Sequence, residues 1–199
     1  YGDAAEQKEF LNEQDLGLLD HLSERACYNE GKRFAETCVE TYRQVHAMDA
    51  KIARVFTTYG PRMKLRDGLL IPDFIVSALE GKPLTVEGKQ DATISLCYVS
   101  DIVDGLIRLM HAGPDISMVN LGSDELYRIA DVAAAIIQMT GSTSELRYES
   151  EREHTTKRGR PDLRSAKDGL GWIPLVRLQE GLRKTIDYTI ANKEAFMLA

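Results

Sequence analysis

The chain has 199 residues, 43% hydrophobic and 28% charged, which is the ordinary composition of a soluble globular protein. A formal net charge of −6 argues against a general nucleic-acid binder, since neutralising phosphates requires clustered Lys and Arg, although a few placed arginines still suffice for an anionic ligand. The longest apolar stretch, Ile129 to Ile137, is interrupted by Asp131 and is too short to cross a bilayer, so no membrane partner is expected.

The three cysteines, Cys27, Cys38 and Cys97, are widely spaced and suit a reducing compartment better than a disulfide framework. His21, His46, His111 and His154 form no pairing with Cys or acidic residues at ligand spacing, so no metal site is expected. With no secretory signal at the start, a cytoplasmic location is the default expectation. The chain opens on Tyr1 and not Met, and Tyr1-Gly2-Asp3 reads like the turn after a strand. The expectation is therefore a piece of a longer protein.

In chain order, residues 3–22 are polar with scattered Leu and read as a loop, with at most a short helix. Ser23 and Glu24 then suit the start of a helix running to about His46, with Ala26, Phe34, Cys38, Val39 and Tyr42 near helical spacing. The β-branched run Lys51 to Thr57 predicts a buried strand, ended by Tyr59-Gly60-Pro61. Pro72 predicts the first turn of a helix that stops at Gly81-Lys82-Pro83. Leu84 to Val86 and Ile94 to Val99 predict two strands, and Asp101 starts an amphipathic helix ending near Gly113-Pro114. Met118 to Leu121 reads as a strand closed by Gly122, Arg128 to Met139 as a helix stopped at Gly141, and Glu145 to Glu149 as a strand. An Arg-rich loop, Glu151 to Pro161, precedes two helices, about Arg164 to Leu170 and Leu178 to Asn192.

Strands alternating with helices predict an α/β protein with a largely parallel sheet. The phosphate-cradling G-x-G-x-x-G pattern is absent: Gly169 and Gly171 have the right spacing, but Pro174 stands where the third Gly belongs. Nothing in these residues holds a pyrophosphate in the usual way.

Tyr28 and Lys32 are four residues apart on the first predicted helix and so share a face. A free phenol ionises near pH 10, about three units too high for a base at neutral pH. A neighbouring ammonium favours the phenolate and makes it a competent proton acceptor. Such a pair suits hydride chemistry on a hydroxyl, where the oxygen loses its proton as the carbon gives up hydride. The commoner reading of this spacing is a Tyr at the core edge beside a solvated Lys. Of the eight tyrosines, only Tyr28 has a Lys four residues later.

The surrounding words add to this. Cys27-Tyr28-Asn29-Glu30-Gly31-Lys32-Arg33, followed by Ala35-Glu36-Thr37, closely resembles the active-site helix of the UDP-glucuronate decarboxylases, a branch of the extended short-chain dehydrogenase/reductase family (NAD-dependent epimerases and dehydratases). Further words follow in family order: Tyr1-Gly2-Asp3, Arg54-Val55-Phe56 through Tyr59-Gly60-Pro61-Arg62-Met63, Tyr98 to Gly105, Val119 to Gly122, and Leu170-Gly171-Trp172-Ile173-Pro174. The resemblance covers nearly the whole chain, as the C-terminal part of such an enzyme.

The resemblance implies the remainder of a Rossmann-type doubly wound parallel sheet plus a small C-terminal α/β substrate-binding domain. Residues 1–60 would be the second half of the NAD-binding domain, with the active-site helix at about 23–46. Residues 61–199 would mainly bind substrate, with about 96–122 returning to the first domain. Tyr28 would be the catalytic base; Lys32 would assist it and bond the nicotinamide ribose; Thr58 would also face NAD. Thr57, Tyr59, Arg62, Arg158 and Arg160 would face a nucleotide-sugar, with a UDP-sugar favoured. The implied reaction oxidises C4 of UDP-glucuronate, loses CO2 from the resulting β-keto acid and returns the hydride; a 4,6-dehydratase, a 4-epimerase or a non-catalytic relative are the alternatives. A homodimer through the long helix is implied, and the isolated 199 residues are expected to be catalytically silent.

Some positions depart from the family pattern. Thr57 replaces the Asn that touches substrate, Leu69 follows Asp67-Gly68 where an Arg is usual, and Ala92 and Ile94 stand where Gln and Arg are usual. An apolar side chain cannot replace a bidentate phosphate contact. In Lys157 to Asp162 the family's Arg falls in register with Gly159, flanked by Arg158 and Arg160. Either reaches a diphosphate, or both are solvated loop charges. The departures fit a different nucleotide-sugar or weakened chemistry.

Overall fold

A computed structural model of the chain describes residues 1, 8–23, 26–150 and 159–192. In chain order the elements are β1 (Phe10–Leu11), α1 (Ala26–His46), β2 (Ile52–Val55), β3 (Thr58–Tyr59), α2 (Leu70–Leu79), β4 (Leu84–Glu87), β5 (Thr93–Ser95) and β6 (Cys97–Tyr98). Then come α3 (Val99–His111), β7 (Met118–Leu121), β8 (Leu126–Arg128), α4 (Ile129–Thr140), β9 (Leu146–Glu149), β10 (Arg160–Pro161), α5 (Arg164–Leu170) and α6 (Leu178–Ala191). The described strands pair as β1–β10, β2–β7, β3–β6 and β4–β9, all parallel, and β5–β8, antiparallel. The α/β expectation with mainly parallel pairing holds.

Residues divide into two compact units. The first comprises 1–56, 101–124 and 153–174; the second comprises 57–100, 125–152 and 175–199. In the first, β2 lies beside β7 in the register Ile52 to Met118 through Val55 to Leu121. Val119 and Leu121 are fully buried, as are Ala166 of α5 and Trp172 just beyond it. Gly171 ends α5 in the left-handed conformation (φ 60°), a turn that glycine makes without the Cβ penalty. That turn delivers the Trp172 indole to α3, where its N–H donates to the Asp101 carbonyl at 2.8 Å. Gly105 leaves room for it: a Cβ there would meet Trp172 Nε1 at 3.0 Å and Leu121 Cδ2 at 2.7 Å.

The second unit has one apolar core, built from Phe74, Ile75 and Ala78 of α2, Leu84 and Val86 of β4, Val132 and Ile136 of α4, and Leu182 and Ile186 of α6. Helix α2 carries Pro72 in its first turn and stops before Gly81 (φ 66°). Helix α4 ends in a Schellman turn: the Gly141 N–H donates to the Gln138 carbonyl at 3.2 Å, and the Ser142 N–H to the Ile137 carbonyl at 3.0 Å. On α6, Gly181 admits the rings packed on it, since a Cβ would come within 2.2 Å of the Tyr59 hydroxyl and 2.8 Å of Tyr98 Cδ2. Gly181→Ala is therefore expected to lose about 1–3 kcal/mol, read from the urea midpoint. An unchanged midpoint would mean that Tyr59 and Tyr98 shift aside freely.

Two strand expectations are corrected. The run Lys51 to Thr57 is not a fully buried strand: β2 ends at Val55, Ile52 is its one buried residue, and Val55 is 48% exposed. Ile94 to Val99 is not one strand either. It changes partners at Leu96, so that β5 pairs with β8 and β6 with β3, and Val99 already opens α3. Among the described residues of the opening stretch there is no helix, only the two-residue β1. The short strands β1, β3, β8 and β10 depend on partners far away in the chain, which local periodicity does not register.

Candidate functional site

Helix α1 begins where the Ala26 N–H donates to the Ser23 carbonyl at 2.9 Å. Tyr28 and Lys32 stand one turn apart near its start, and the Lys32 ammonium lies 5.5 Å from the centre of the Tyr28 ring. Tyr28 is 57% exposed. The structure thus brings together the two residues predicted to share the proton chemistry. The cation lies over the ring of the phenol it would assist.

Glu36, one turn beyond Lys32, belongs to a polar network not foreseen from the sequence. Arg54 of β2 donates from Nε to Glu36 Oε1 at 2.8 Å and from NH2 to Oε2 at 2.7 Å. Its NH1 donates to the carbonyls of Glu13 at 3.0 Å and Asp15 at 3.4 Å, and its guanidinium lies 4.4 Å from the Tyr1 ring centre. Burial works against the Arg54 charge, but hydrogen bonding with Glu36 and Tyr1 outweighs it and holds the guanidinium above its ordinary pKa. The Tyr1 hydroxyl donates to Asn120 Oδ1 at 2.7 Å, while burial pushes its own pKa up. Asn120, fully buried in β7, donates from Nδ2 to the carbonyls of Leu11 and Asp162, and its backbone N–H bonds Glu13. One signal was available: Arg54 is a charge inside an otherwise apolar strand, and a charge there requires a partner.

The remaining predicted residues are dispersed. Thr57 and Thr58 are half-buried in the second unit, and the Thr57 carbonyl accepts the Cys97 N–H at 3.0 Å. Tyr59 is 1% exposed, with its hydroxyl donated to the Leu178 carbonyl at 3.2 Å, so its side chain serves the core of that unit. Arg62 is exposed in a left-handed turn (φ 68°), beside a recess of about 10 Å³ that holds no more than a water molecule. Arg160 is committed within the first unit: it pairs with Glu9, donates to the Asp124 carbonyl at 3.0 Å and lies over the Phe10 ring. Arg158 lies outside the described residues, as do Gly2 and Asp3. Leu69 is the exposed cap of α2, whereas Ile94 is 8% exposed in the core, opposite Tyr127.

A cleft of about 570 Å³ opens in the first unit at the N-terminal end of β7 and holds none of these residues. Its walls include Glu13, Asp115, Asp168 and the pair Asp162–Arg164, whose hydrogen bonding holds the Asp162 carboxyl below its ordinary pKa.

The family model described as "NAD dependent epimerase/dehydratase family" matches residues 1–122. The chain is 43% identical over 177 residues to UDP-glucuronic acid decarboxylase 1 of Xenopus tropicalis, covering 89% of this chain and 42% of that protein. It is 40% identical over 166 residues to UDP-glucuronic acid decarboxylase 3 of Arabidopsis thaliana, covering 83% and 48%. Among solved structures, UDP-glucuronic acid 4-epimerase from Bacillus cereus, in complex with UDP-glucuronic acid and NAD, superposes with a TM-score of 0.82 at 25% identity, over 96% of this chain and 58% of that one. The Bordetella bronchiseptica enzyme WbmF, in complex with NAD+ and UDP, gives a TM-score of 0.78 at 29% identity, over 91% and 58%. The chain spans under half the length of these curated relatives. With its ordered motifs, its parallel α/β pairing and the match over residues 1–122, the chain belongs to the NAD-dependent epimerase/dehydratase family.

Proposed function

We propose that the protein carrying this chain is an NAD-dependent nucleotide-sugar enzyme, most like a UDP-glucuronate decarboxylase working through a 4-keto sugar. The observation that carries the reading is the Tyr28–Lys32 pair, exposed on one helix face with the ammonium 5.5 Å from the phenol ring. The names of the curated relatives, and the NAD and UDP-glucuronic acid in the neighbouring structure, favour this substrate class.

The donor set fits the cofactor. Lys32 offers three N–H donors suited to ribose hydroxyls, and Tyr28 offers one phenolic oxygen to a sugar hydroxyl. When bound, NAD supplies the acceptor and later the donor of a hydride. In this reading the chain's own residues handle the proton. Tyr28 takes it from the sugar hydroxyl at its phenolic oxygen, and the Lys32 charge favours that transfer by proximity. Thr57, Thr58, Arg62 and Arg158 remain proposed ligand contacts, whereas the contacts made by Arg160 favour a structural part for it. The first unit is proposed to belong to the NAD-binding domain and the second to bind the sugar. A homodimer is part of the same reading, supported by the exposed Phe34, Tyr42 and Val45 of α1. So is a cytoplasmic location, consistent with three free cysteines. No helix among the described residues is long and apolar enough to cross a membrane.

The test is turnover of UDP-glucuronate by the full-length protein, followed as CO2 release and UDP-xylose. Product is expected. A full-length protein that converts no UDP-, dTDP- or GDP-sugar would remove the enzymatic reading, while a 4-epimer or a dehydrated sugar would reassign the branch. Ile94 favours a second reading, a relative that binds without turnover, because an apolar core residue occupies the register of a phosphate-facing Arg. Calorimetry showing NAD and nucleotide-sugar binding without product supports that alternative.

A further inference from the structure

Helix α1 is 21 residues long, yet Ala26 is its one buried residue. An amphipathic helix is normally held by an apolar seam against its neighbours. Within the first unit, α1 is tied to strand β2 by a two-pronged bond from Arg54 to Glu36, at 2.8 and 2.7 Å. The Arg54 side chain is only 15% exposed and that of Glu36 29%, so water screens the pair weakly. The guanidinium is itself fixed from other directions by the carbonyls of Glu13 and Asp15 and by the Tyr1 ring. It therefore acts as a stationary anchor for the helix.

Tyr28, Lys32 and Glu36 occur at intervals of four residues and follow one face of α1. Whatever sets the rotation of Glu36 about the helix axis also sets the rotation of the other two. A turn of about 10° displaces an atom roughly 6 Å from the axis by about 1 Å. Misplacement of that size near a reacting group can lower a rate by about 100-fold.

We propose that Arg54 and Glu36 are positioning residues, which fix the rotation of α1 and so the place at which Tyr28 and Lys32 meet their ligand. Neither is assigned contact with substrate or cofactor. The inference rests on the proton chemistry assigned above to Tyr28 and Lys32, and one arm of its test is independent of that assignment.

The test uses the full-length protein with Arg54→Met, Glu36→Gln and Arg54→Lys. With UDP-glucuronate as the probe, Arg54→Met and Glu36→Gln are expected to lower kcat by about 10- to 100-fold and to change KM by less than about threefold. Arg54→Lys, which retains the charge but loses the fork, is expected to recover part of that loss. The independent arm is a distance measurement between paired spin labels, one on the exposed Cys27 of α1 and one on Val55→Cys at the end of β2, with Cys38 replaced by Ser. Because α1 turns as a body, this distance reports its rotation against β2 and is expected to shift or broaden in Arg54→Met at a temperature where that variant remains folded. An unchanged distance distribution in folded Arg54→Met overturns the proposal. So does a loss of kcat that only tracks the fraction of unfolded protein and is absent from the folded remainder. If the wild-type protein turns over no nucleotide-sugar, the functional reading fails, and the distance from α1 to β2 alone decides whether Arg54 fixes the helix.

Discussion

Tyr28→Phe in the full-length protein is expected to lower kcat for the nucleotide-sugar by about 100- to 10,000-fold, the range for losing a positioned acid–base group. The substitution removes one oxygen and keeps the ring over which the Lys32 ammonium lies at 5.5 Å. The ring's attraction for the cation therefore persists, and so does the Arg54–Glu36 fork two turns along the helix. With the scaffold kept, the measurement isolates the phenolic oxygen. KM should change little, because an interaction made only as the proton moves is absent from the ground state. Product should be quantified by chromatography over long incubations, since the residual rate is small. Turnover within about threefold of wild type would show that another group accepts the proton.

The second large effect concerns stability. Trp172→Ala is expected to lose about 3–5 kcal/mol, the usual range for removing a buried indole. Trp172 is 1% exposed, and its N–H is the hydrogen-bond partner of the Asp101 carbonyl at 2.8 Å. Truncation both opens a cavity beside Leu121 and strips a partner from a carbonyl in the first turn of α3. Trp172→Phe should lose less, since most of the apolar contact remains while the hydrogen bond, worth about 1 kcal/mol, goes. Because the chain has one tryptophan, unfolding of both variants must be followed by circular dichroism at the helical band. A Trp172→Ala midpoint equal to that of wild type would contradict this account of the first unit.

The helix map was largely legible because its stop signals are local. Gly81 and Gly141 adopt φ of 66° and 63°, a conformation that glycine reaches without strain, and both end helices where the sequence placed them. The pair Tyr28 and Lys32 was legible for a similar reason: helical spacing alone brings them together. Strand pairing was harder to see. Leu96 interrupts what reads as one apolar run, because the residues before and after it pair with different, distant strands. Two of the proposed ligand contacts also have structural uses that only three-dimensional packing exposes. Tyr59 reads as a ligand contact, yet its hydroxyl is taken by the Leu178 carbonyl. Arg160 reads as a phosphate ligand, yet it pairs with Glu9. Ile94 reads as a lost ligand, and its burial explains why an apolar residue is tolerated there.

Each unit is assembled from three separate stretches, so the chain passes from one unit to the other at 56/57, 100/101, 124/125, 152/153 and 174/175. Neither half can be excised as a contiguous gene fragment, and a single proteolytic nick in any one crossing would release neither. On the ribosome the first unit must wait for residues 153–174, including Trp172, to emerge before its core can close. Contacts between such distant stretches slow folding, so synthesis of this region should depend on chaperone protection more than a protein of equal length with locally closed domains.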